Sequence, residues 1–323
     1  MDKNSKILIT GGQGWIGPAL GLFLTDQGFQ NVSALAGATF GIDLGLDSMV
    51  GWAFETNPDI VIHLATRLPT RGYSLEYPAA LMYENMLSTC KVIEEARLCG
   101  CSKFITAWES SCYPENAKIP YKEEDLWEGS PHWTKRYYGN TAKTLMEMNM
   151  AFSTQFEDFI GVNLIFPEVY GPGSGFRPSK GKVIESVITN LKAAEKAGQP
   201  LIVNGNSDMS RDFLYLSDAI DAIHYAIMYA DEPNTYNVSD QKEVNIKDLH
   251  FKVKKIFDIK APVQWQEDKQ DVLEKSVMDS SLIQKELGWR PKVDIDRGLD
   301  SMSQWYDAAR LDSAYIPSDT IGL

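Results

Sequence analysis

The strongest constraint on this chain lies in its first seventeen residues, where the apolar pentad KILIT (6–10) runs directly into GGQGWIG (11–17). Gly11, Gly14 and Gly17 recur at every third position. The run that follows, IGPALGLFLTDQG, puts Ile16, Leu20, Phe23 and Leu24 on one face at helical spacing. The pattern predicts a strand, a tight glycine turn and a helix that stops at Gly28. Without side chains, such a turn lets a pyrophosphate reach backbone N–H groups at a helix N-terminus, whose dipole favours anions. Between a strand and a helix the motif reads as a dinucleotide cradle rather than a merely structural turn.

The alternation continues. VSALA (32–36) is a second strand, and DIVIHLA (59–65) is a third after the turn signal Asn57-Pro58. A helix over roughly 80–98, the strand KFITAW (103–108), a loop to about 136, a helix over roughly 138–156 and the strand FIGVNLIF (159–166) follow. Strands alternating with helices predict an α/β fold, a Rossmann-type doubly wound parallel sheet covered on both faces. After YGPGSGFRPSKG the periodicity changes to shorter pieces: a helix (182–197), PLIVNG, RDFLYLSDAIDAIHYAI, NTYNVSD, NIKDLHFKVKKIF and DSSLIQKELGWRP. These are too short to form a compact domain alone. Residues 1–170 are therefore expected to form the dinucleotide domain, with elements near 213–240 returning to it. Residues 171–212 and 241–310 are expected to form a smaller C-terminal α/β substrate lobe, and 311–323 a loose tail.

A net charge of −13 argues against nucleic-acid or anionic-membrane partners, because no phosphate-neutralising basic patch is visible. Cys90, Cys99, Cys101 and Cys112 form no paired framework and no metal-binding set, so free thiols in a reducing compartment are expected. MDKNSK leads straight into the first strand, and no run of about 18 apolar residues follows, so a cytoplasmic protein is expected.

The second strand ends in SALAGATFGID, without the acidic residue that holds an NAD ribose or the arginine that meets an NADP phosphate. Gln13 stands where a phosphate-binding arginine would reach. An unpaired phosphate dianion is costly, so the loop favours NAD(H), with NADP(H) the alternative. Asp43 is placed to contact the adenine.

With this glycine loop, the motifs VIHLAT (61–66), SSCYP (110–114), YGNTAK (138–143), VYGPG (169–173), SRDFLYLSDA (210–219), TYNVSD (235–240) and ELGWRP (286–291) occur in order. Together they resemble the extended short-chain dehydrogenases, the nucleotide-sugar epimerase/dehydratase family, from residue 6 to about 308. The stretch SSCYPENAKIPYKEEDLWEG resembles the GDP-L-fucose synthase branch, which reduces and epimerises a GDP-4-keto-6-deoxy sugar. The resemblance implies a nucleotide-sugar substrate held in the small lobe and a homodimer packed through helices near 82–98 and 138–156. It also implies cofactor contacts from Gly11, Gly14, Trp15, Ile16, Gly17, Leu64, Ala65 and Asn85. His63 reads as a structural residue beside the cofactor.

Family chemistry moves a proton at the sugar oxygen in step with a hydride at carbon. A tyrosine, ordinarily with a pKa of about 10, is made a usable base by a lysine four residues on. Here Tyr138 and Lys143 are five apart. Positions four apart on an α-helix are offset by about 40°, whereas five apart they diverge by about 140°. Counted from Tyr113-Pro114, Tyr138 takes the tyrosine's place and Ala142 the lysine's. Counted back from Tyr170-Gly171-Pro172, Lys143 is the lysine and Gly139 stands where the tyrosine should be. The expectation kept is Tyr138 as acid/base, with a local bulge or a long reach bringing in Lys143. The opposing reading makes Tyr138 a packing residue and Lys143 a surface charge.

The family serine falls on Glu109, followed by Ser110 and Ser111. Either Glu109 supplies a carboxylate base or Ser110 takes the hydroxyl role. The cysteine and histidine that invert C3 and C5 in fucose synthase fall on Ser111 and Lys182, which argues against 3,5-epimerisation. Arg211 suits a sugar-nucleotide diphosphate. Arg177 and Lys182 are further candidate substrate contacts. Glu168, before Tyr-Gly-Pro, would repel a phosphate. The expected activity is hydride transfer between NAD(P) and C4 of an NDP-hexose or heptose, GDP-sugar favoured. A 4-epimerase with tightly bound NAD and a catalytically silent dinucleotide sensor or scaffold are the alternatives.

Overall fold

The computed structural model of this chain describes residues 1–35, 44–68, 71–174, 182–206, 208–266 and 275–311. Asp43, Arg177 and the expected tail beyond 311 lie outside them. In chain order, β1 (Lys6–Thr10), α1 (Ile16–Asp26), β2 (Asn31–Ala34), α2 (Asp47–Phe54), β3 (Ile60–His63), α3 (Arg71–Glu76), α4 (Pro78–Leu98), β4 (Lys103–Glu109), α5 (Arg136–Gln155) and β5 (Ile160–Phe166) form the first half. There follow β6 (Glu168–Tyr170), α6 (Val183–Ala197), β7 (Leu201–Asn204), β8 (Ser210–Arg211), β9 (Phe213–Tyr215), α7 (Leu216–Tyr229) and β10 (Asn234–Asn237). The chain closes with β11 (Val244–Asn245), α8 (Ile246–Ile256), β12 (Val263–Gln266), β13 (Lys275–Ser276), α9 (Ser281–Glu286) and α10 (Ile295–Leu311).

Six strands form one sheet in the order β10-β5-β4-β3-β1-β2, and every neighbouring pair is parallel. Parallel strands bury both faces, and the residues of β1 show how. Ile7 and Ile9 pack with Leu20, Leu24, Ile220 and Ile223 of α1 and α7. Leu8, pointing the other way, packs with Val50, Phe54, Val92 and Ala96 of α2 and α4. This is the doubly wound α/β arrangement expected.

Strand order reverses between β1 and β3, so the crevice for a ligand opens at the carboxyl ends of the strands there. The glycine loop after β1, Leu64 after β3, Glu109 at the end of β4 and Glu168 after β5 all face that edge. His63 fixes its floor. The ring is buried and bonded to the hydroxyls of Thr10 (2.8 Å) and Thr89 (3.0 Å), tying β1, β3 and α4 together. Burial lowers its pKa to about 4, so it stays neutral, a structural residue.

A second apolar cluster joins α6, α8 and α10 through Ile184, Val187, Leu191, Leu249, Val253, Leu299 and Met302, and makes the core of a smaller C-terminal lobe. β7 pairs with β12 there, while β10 returns to the main sheet beside β5. Tyr170 belongs to the second cluster and directly follows β5 and Glu168, so the crevice floor and the small lobe are one continuous stretch of chain.

Candidate active site

The glycine loop is pressed flat by its surroundings. Gly11 has φ +69°, and a Cβ there would lie 2.8 Å from the Leu64 carbonyl carbon and 2.9 Å from the Ala65 nitrogen. A Cβ at Gly17 would meet the Gly11 carbonyl oxygen at 2.6 Å. At Gly14 the only near atom would be that same oxygen at 3.1 Å, so this side of the loop is open. The N-cap residue Trp15 makes no side-chain bond to the first amides of α1, which suits them to an anion. This cradle fits the pyrophosphate of a dinucleotide. Asn85 braces the neighbouring loop by accepting from the Arg67 N–H (2.7 Å) and donating to the Arg67 carbonyl (3.0 Å). Trp15 pins the cradle to the start of the small lobe by donating to the Pro172 carbonyl at 2.9 Å.

Tyr138 and Lys143 are not brought together. α5 is α-helical from Arg136 to Gln155 with no widened turn, so the two side chains leave it in directions about 140° apart. Tyr138 is 1% exposed, and its hydroxyl accepts the Glu109 N–H at 3.1 Å. Burial, and then the charge of Glu109, push the phenol well above its ordinary pKa, so it stays protonated and holds its proton tightly. Lys143 turns to the other side, donating to the Gly129 carbonyl (2.9 Å) with its ammonium 5.3 Å from the Trp127 ring centre. The expected bulge is absent because Gly139 seats α5 tightly. A Cβ there would lie 2.6 Å from Pro131 Cγ and 2.9 Å from the Ser111 carbonyl oxygen. In the register anchored on Lys143, Pro131 fills the space that the family's tyrosine would need.

A different set of groups meets in the crevice. The chain leaves β4 at Glu109 into a short 3-10 turn, Ser110–Cys112. Ser111 Oγ is buried there without a partner. Cys112 faces inward, and burial pushes its thiol up to about 12, so it carries no proton traffic. Across the crevice, the Glu168 carboxylate accepts the Val183 N–H at the start of α6. Lys182 donates to the Val169 carbonyl at 2.8 Å and lies 4.2 Å over the Trp15 ring. Glu185 is wholly buried, and among the described residues the Ser174 side chain is the polar group set beside it. The adjacent Ser174 hydroxyl bonds the Gly171 carbonyl at 2.8 Å and also lies close enough to Glu185 to favour its ionised form. Arg211 donates to the Ser210 carbonyl (2.7 Å) and faces Glu168 and Tyr121.

These charges perturb one another. Glu168 sits at the crevice floor, enclosed by protein yet open to solvent. Desolvation, and next the charge of Glu185, raise its pKa to about 7. Burial lowers Lys182, against the pull of Glu185, Glu168 and Glu109. Burial likewise raises Glu185 and lowers Arg211.

A testable consequence concerns stability. A carboxyl whose folded pKa lies above its unfolded value stabilises the fold on the acid side and loses that contribution as pH rises, here between about 4.5 and 7. Glu168→Gln should therefore flatten the fall in melting temperature across that window. Melting curves from pH 4 to 8 that remain parallel for the two proteins would contradict the assignment. Asp212, whose pKa burial also raises to about 7, contributes slope of the same sign, as do the other carboxyls that burial raises, Glu123, Glu185, Asp218 and Asp240.

Among the sequence-singled residues, Glu109, Ser110, Ser111, Glu168, Lys182 and Arg211 surround the crevice, whereas Tyr138 and Lys143 point away from one another. Glu185 was not anticipated. Its signal was a carboxylate within VIESVI, on the same face as Ile184 and Ile188 of an otherwise apolar helix stripe.

A sequence model of the NAD-dependent epimerase/dehydratase family matches residues 7–239. A probable GDP-L-fucose synthase from Oryza sativa subsp. japonica is 28% identical over 307 residues, 94% of this chain and 93% of that protein. Among solved structures, a GDP-6-OMe-4-keto-L-xylo-heptose reductase from C. jejuni superposes with a TM-score of 0.86 at 22% identity, over 96% of this chain and 99% of that one. A GDP-mannoheptose C4 reductase from Campylobacter jejuni with NADP bound gives 0.84 at 22% identity, over 95% and 99%.

Proposed function

This chain belongs to the NAD-dependent epimerase/dehydratase family, and from that premise we propose that it is a nucleotide-sugar oxidoreductase acting at C4 of a GDP-hexose or GDP-heptose, without inversion at C3 or C5. The observation that carries the reading is the crevice itself, in which a dinucleotide cradle is stapled through Trp15 to a floor that gathers Glu168, Lys182 and Arg211. When bound, the nicotinamide dinucleotide supplies or accepts the hydride. Gly11, Gly14 and Gly17 would hold its pyrophosphate, and Leu64, Ala65 and the Asn85-braced loop would flank it.

Arg211 is the cation for the substrate diphosphate. Glu109, Ser110 and Ser111 face the sugar from the end of β4, where the unpartnered Ser111 hydroxyl is ready to bond a substrate oxygen. The absence of 3,5-inversion follows from Ser111 standing in the place of the family's cysteine, with the Cys112 thiol buried and its pKa raised, which leaves no base to take a proton from C3 or C5. The NAD(H) expected from the sequence gives way to NADP(H), because the similar C4 reductase was solved with NADP and the described end of β2 carries no carboxylate to favour an unphosphorylated ribose. Residues 1–170 with 213–240 form the cofactor domain, and 171–212 with 241–310 the substrate lobe. The protein works in the cytoplasm as a homodimer through α4 and α5, whose exposed Tyr83, Leu98 and Tyr137 are available for packing. Among the described residues, no helix is long and apolar enough to cross a membrane.

The test follows absorbance at the nicotinamide band while GDP- and UDP-4-keto sugars are offered with NADPH or NADH. The expected result is consumption of one reduced dinucleotide per GDP-sugar, with no deuterium entering C3 or C5 in heavy water. Because the Tyr138–Lys143 pair is not assembled, a silent dinucleotide-binding protein is the second reading. Tight NADPH binding with no absorbance change across the panel would select it. Interconversion of the C4 epimers of a GDP- or UDP-sugar offered with no added reductant, on dinucleotide that stays bound through purification, would select an epimerase.

A further inference from the structure

The separation of Tyr138 from Lys143 leaves the proposed reduction without its usual proton source, and one other ammonium is poised in the crevice. Lys182 lies 4.2 Å over the Trp15 ring, within the loop that would cradle the dinucleotide, and is anchored to the Val169 carbonyl beside Glu168. Glu185, one helical turn along at the start of α6, is completely buried, with the Ser174 hydroxyl beside it. A buried carboxylate is costly unless a charge or donor compensates it. It is offset here by the neighbouring ammonium, so the cluster is built around a charge at Lys182.

We propose that Lys182, anchored to the Val169 carbonyl beside Glu168 and lying over the Trp15 ring, delivers the proton to the substrate's carbonyl oxygen, the task that the family resemblance assigns to tyrosine. The inference rests on the reduction proposed above. As hydride arrives at the carbonyl carbon from the reduced nicotinamide dinucleotide, a Lys182 N–H bond breaks and the new O–H bond forms, leaving an alcohol and a neutral amine. The carboxylic acid form of Glu168 then returns a proton to that amine and regains its own from water in the open crevice.

The groups facing this exchange are Glu185 from α6, Glu109 from the end of β4 and Arg211 from β8. Burial lowers the Lys182 pKa and raises that of Glu168 to about 7, which brings donor and reservoir closer together in proton affinity. Lysine suits the role because a desolvated ammonium gives up its proton readily, whereas arginine does not.

Three variants test the assignment with NADPH and a GDP-4-keto-6-deoxyhexose as probes. Lys182→Met should bind NADPH within about threefold of wild type yet lose about 100- to 10,000-fold in kcat. Lys182→Arg keeps the charge but cannot release a proton, so it should be equally impaired. Tyr138→Phe should stay within about tenfold of wild type. Near-normal turnover in Lys182→Arg, a loss in Tyr138→Phe matching that of Lys182→Met, or a Lys182→Met defect confined to NADPH affinity would each overturn the proposal.

A measurement without substrate separates this idea from the functional reading. Infrared difference spectra of each protein against its matching Glu168→Gln form isolate the Glu168 carboxyl from Asp212. The midpoint of its band should lie near neutral pH in wild type and rise when Lys182 becomes methionine. An unmoved midpoint sinks the proton relay even if the protein proves to reduce nothing in the panel. A protein that binds no pyridine nucleotide loses both readings together.

Discussion

Replacing Gly17 with valine should weaken dinucleotide binding at least 100-fold while leaving the chain folded. A Cβ at this position would stand 2.6 Å from both the Gly11 carbonyl oxygen and the Gly12 Cα, distances that no side chain tolerates. The loop must swing away from the N-terminus of α1, and its amides then no longer converge on the pyrophosphate. A hundredfold loss corresponds to about 2.7 kcal/mol, within reach of losing two or three charge-assisted hydrogen bonds. Titration of intrinsic tryptophan fluorescence with NADPH measures it, since Trp15 borders the cradle. Gly21→Ala is the matched control, because its Cβ would meet nothing closer than Ile9 Cδ1 at 3.9 Å and should leave affinity unchanged. Equal affinities for Gly17→Val and wild type would remove the cradle from the binding site.

Restoring the family's tyrosine at Gly139 should damage the protein rather than repair it. In a site merely missing its tyrosine, Gly139→Tyr would place a phenol four residues before Lys143 and raise activity. Here the first side-chain atom would already collide with Pro131 Cγ at 2.6 Å and with the Ser111 carbonyl oxygen at 2.9 Å. Both neighbours belong to the segment between β4 and α5, so relief requires α5 to back away from it. Overpacking of this kind costs roughly 3 kcal/mol, and for a ring more. Chemical denaturation should show that loss, and NADPH-dependent turnover should fall. Activity that rises with the new phenol would mean that Pro131 yields easily and that the ancestral pair is still latent.

Both expectations trace to how far the linear pattern could be followed. The glycine loop, the apolar pentads and the alternation of strand and helix were readable because each is enforced locally. KILIT must be buried on two faces, and three glycines at a spacing of three have few other uses. α10 was equally readable and was overlooked, since Leu299, Met302 and Tyr306 recur at helical spacing and all enter the second core. The site was less legible. Tyr138 carries the residue type that the chemistry uses, but in an unbroken helix its neighbour at 143 is forced onto another face, and nothing local could say that the helix would stay unbroken. Pro131 decides that, by pressing against Gly139 from across a loop. Glu168 drew notice only as a charge out of place.

The sequence by itself determined a doubly wound α/β scaffold, its cradle and the family to which it belongs, because those depend on spacing within one strand or helix. Which side chains share the crevice was settled only by tertiary structure. Lys182 meets Trp15 across 167 positions of chain, and Glu168 faces Glu109 and Arg211 from different strands. Their protonation follows from that enclosure, since a carboxyl group titrates in the environment that folding builds around it and not in the one its sequence neighbours provide.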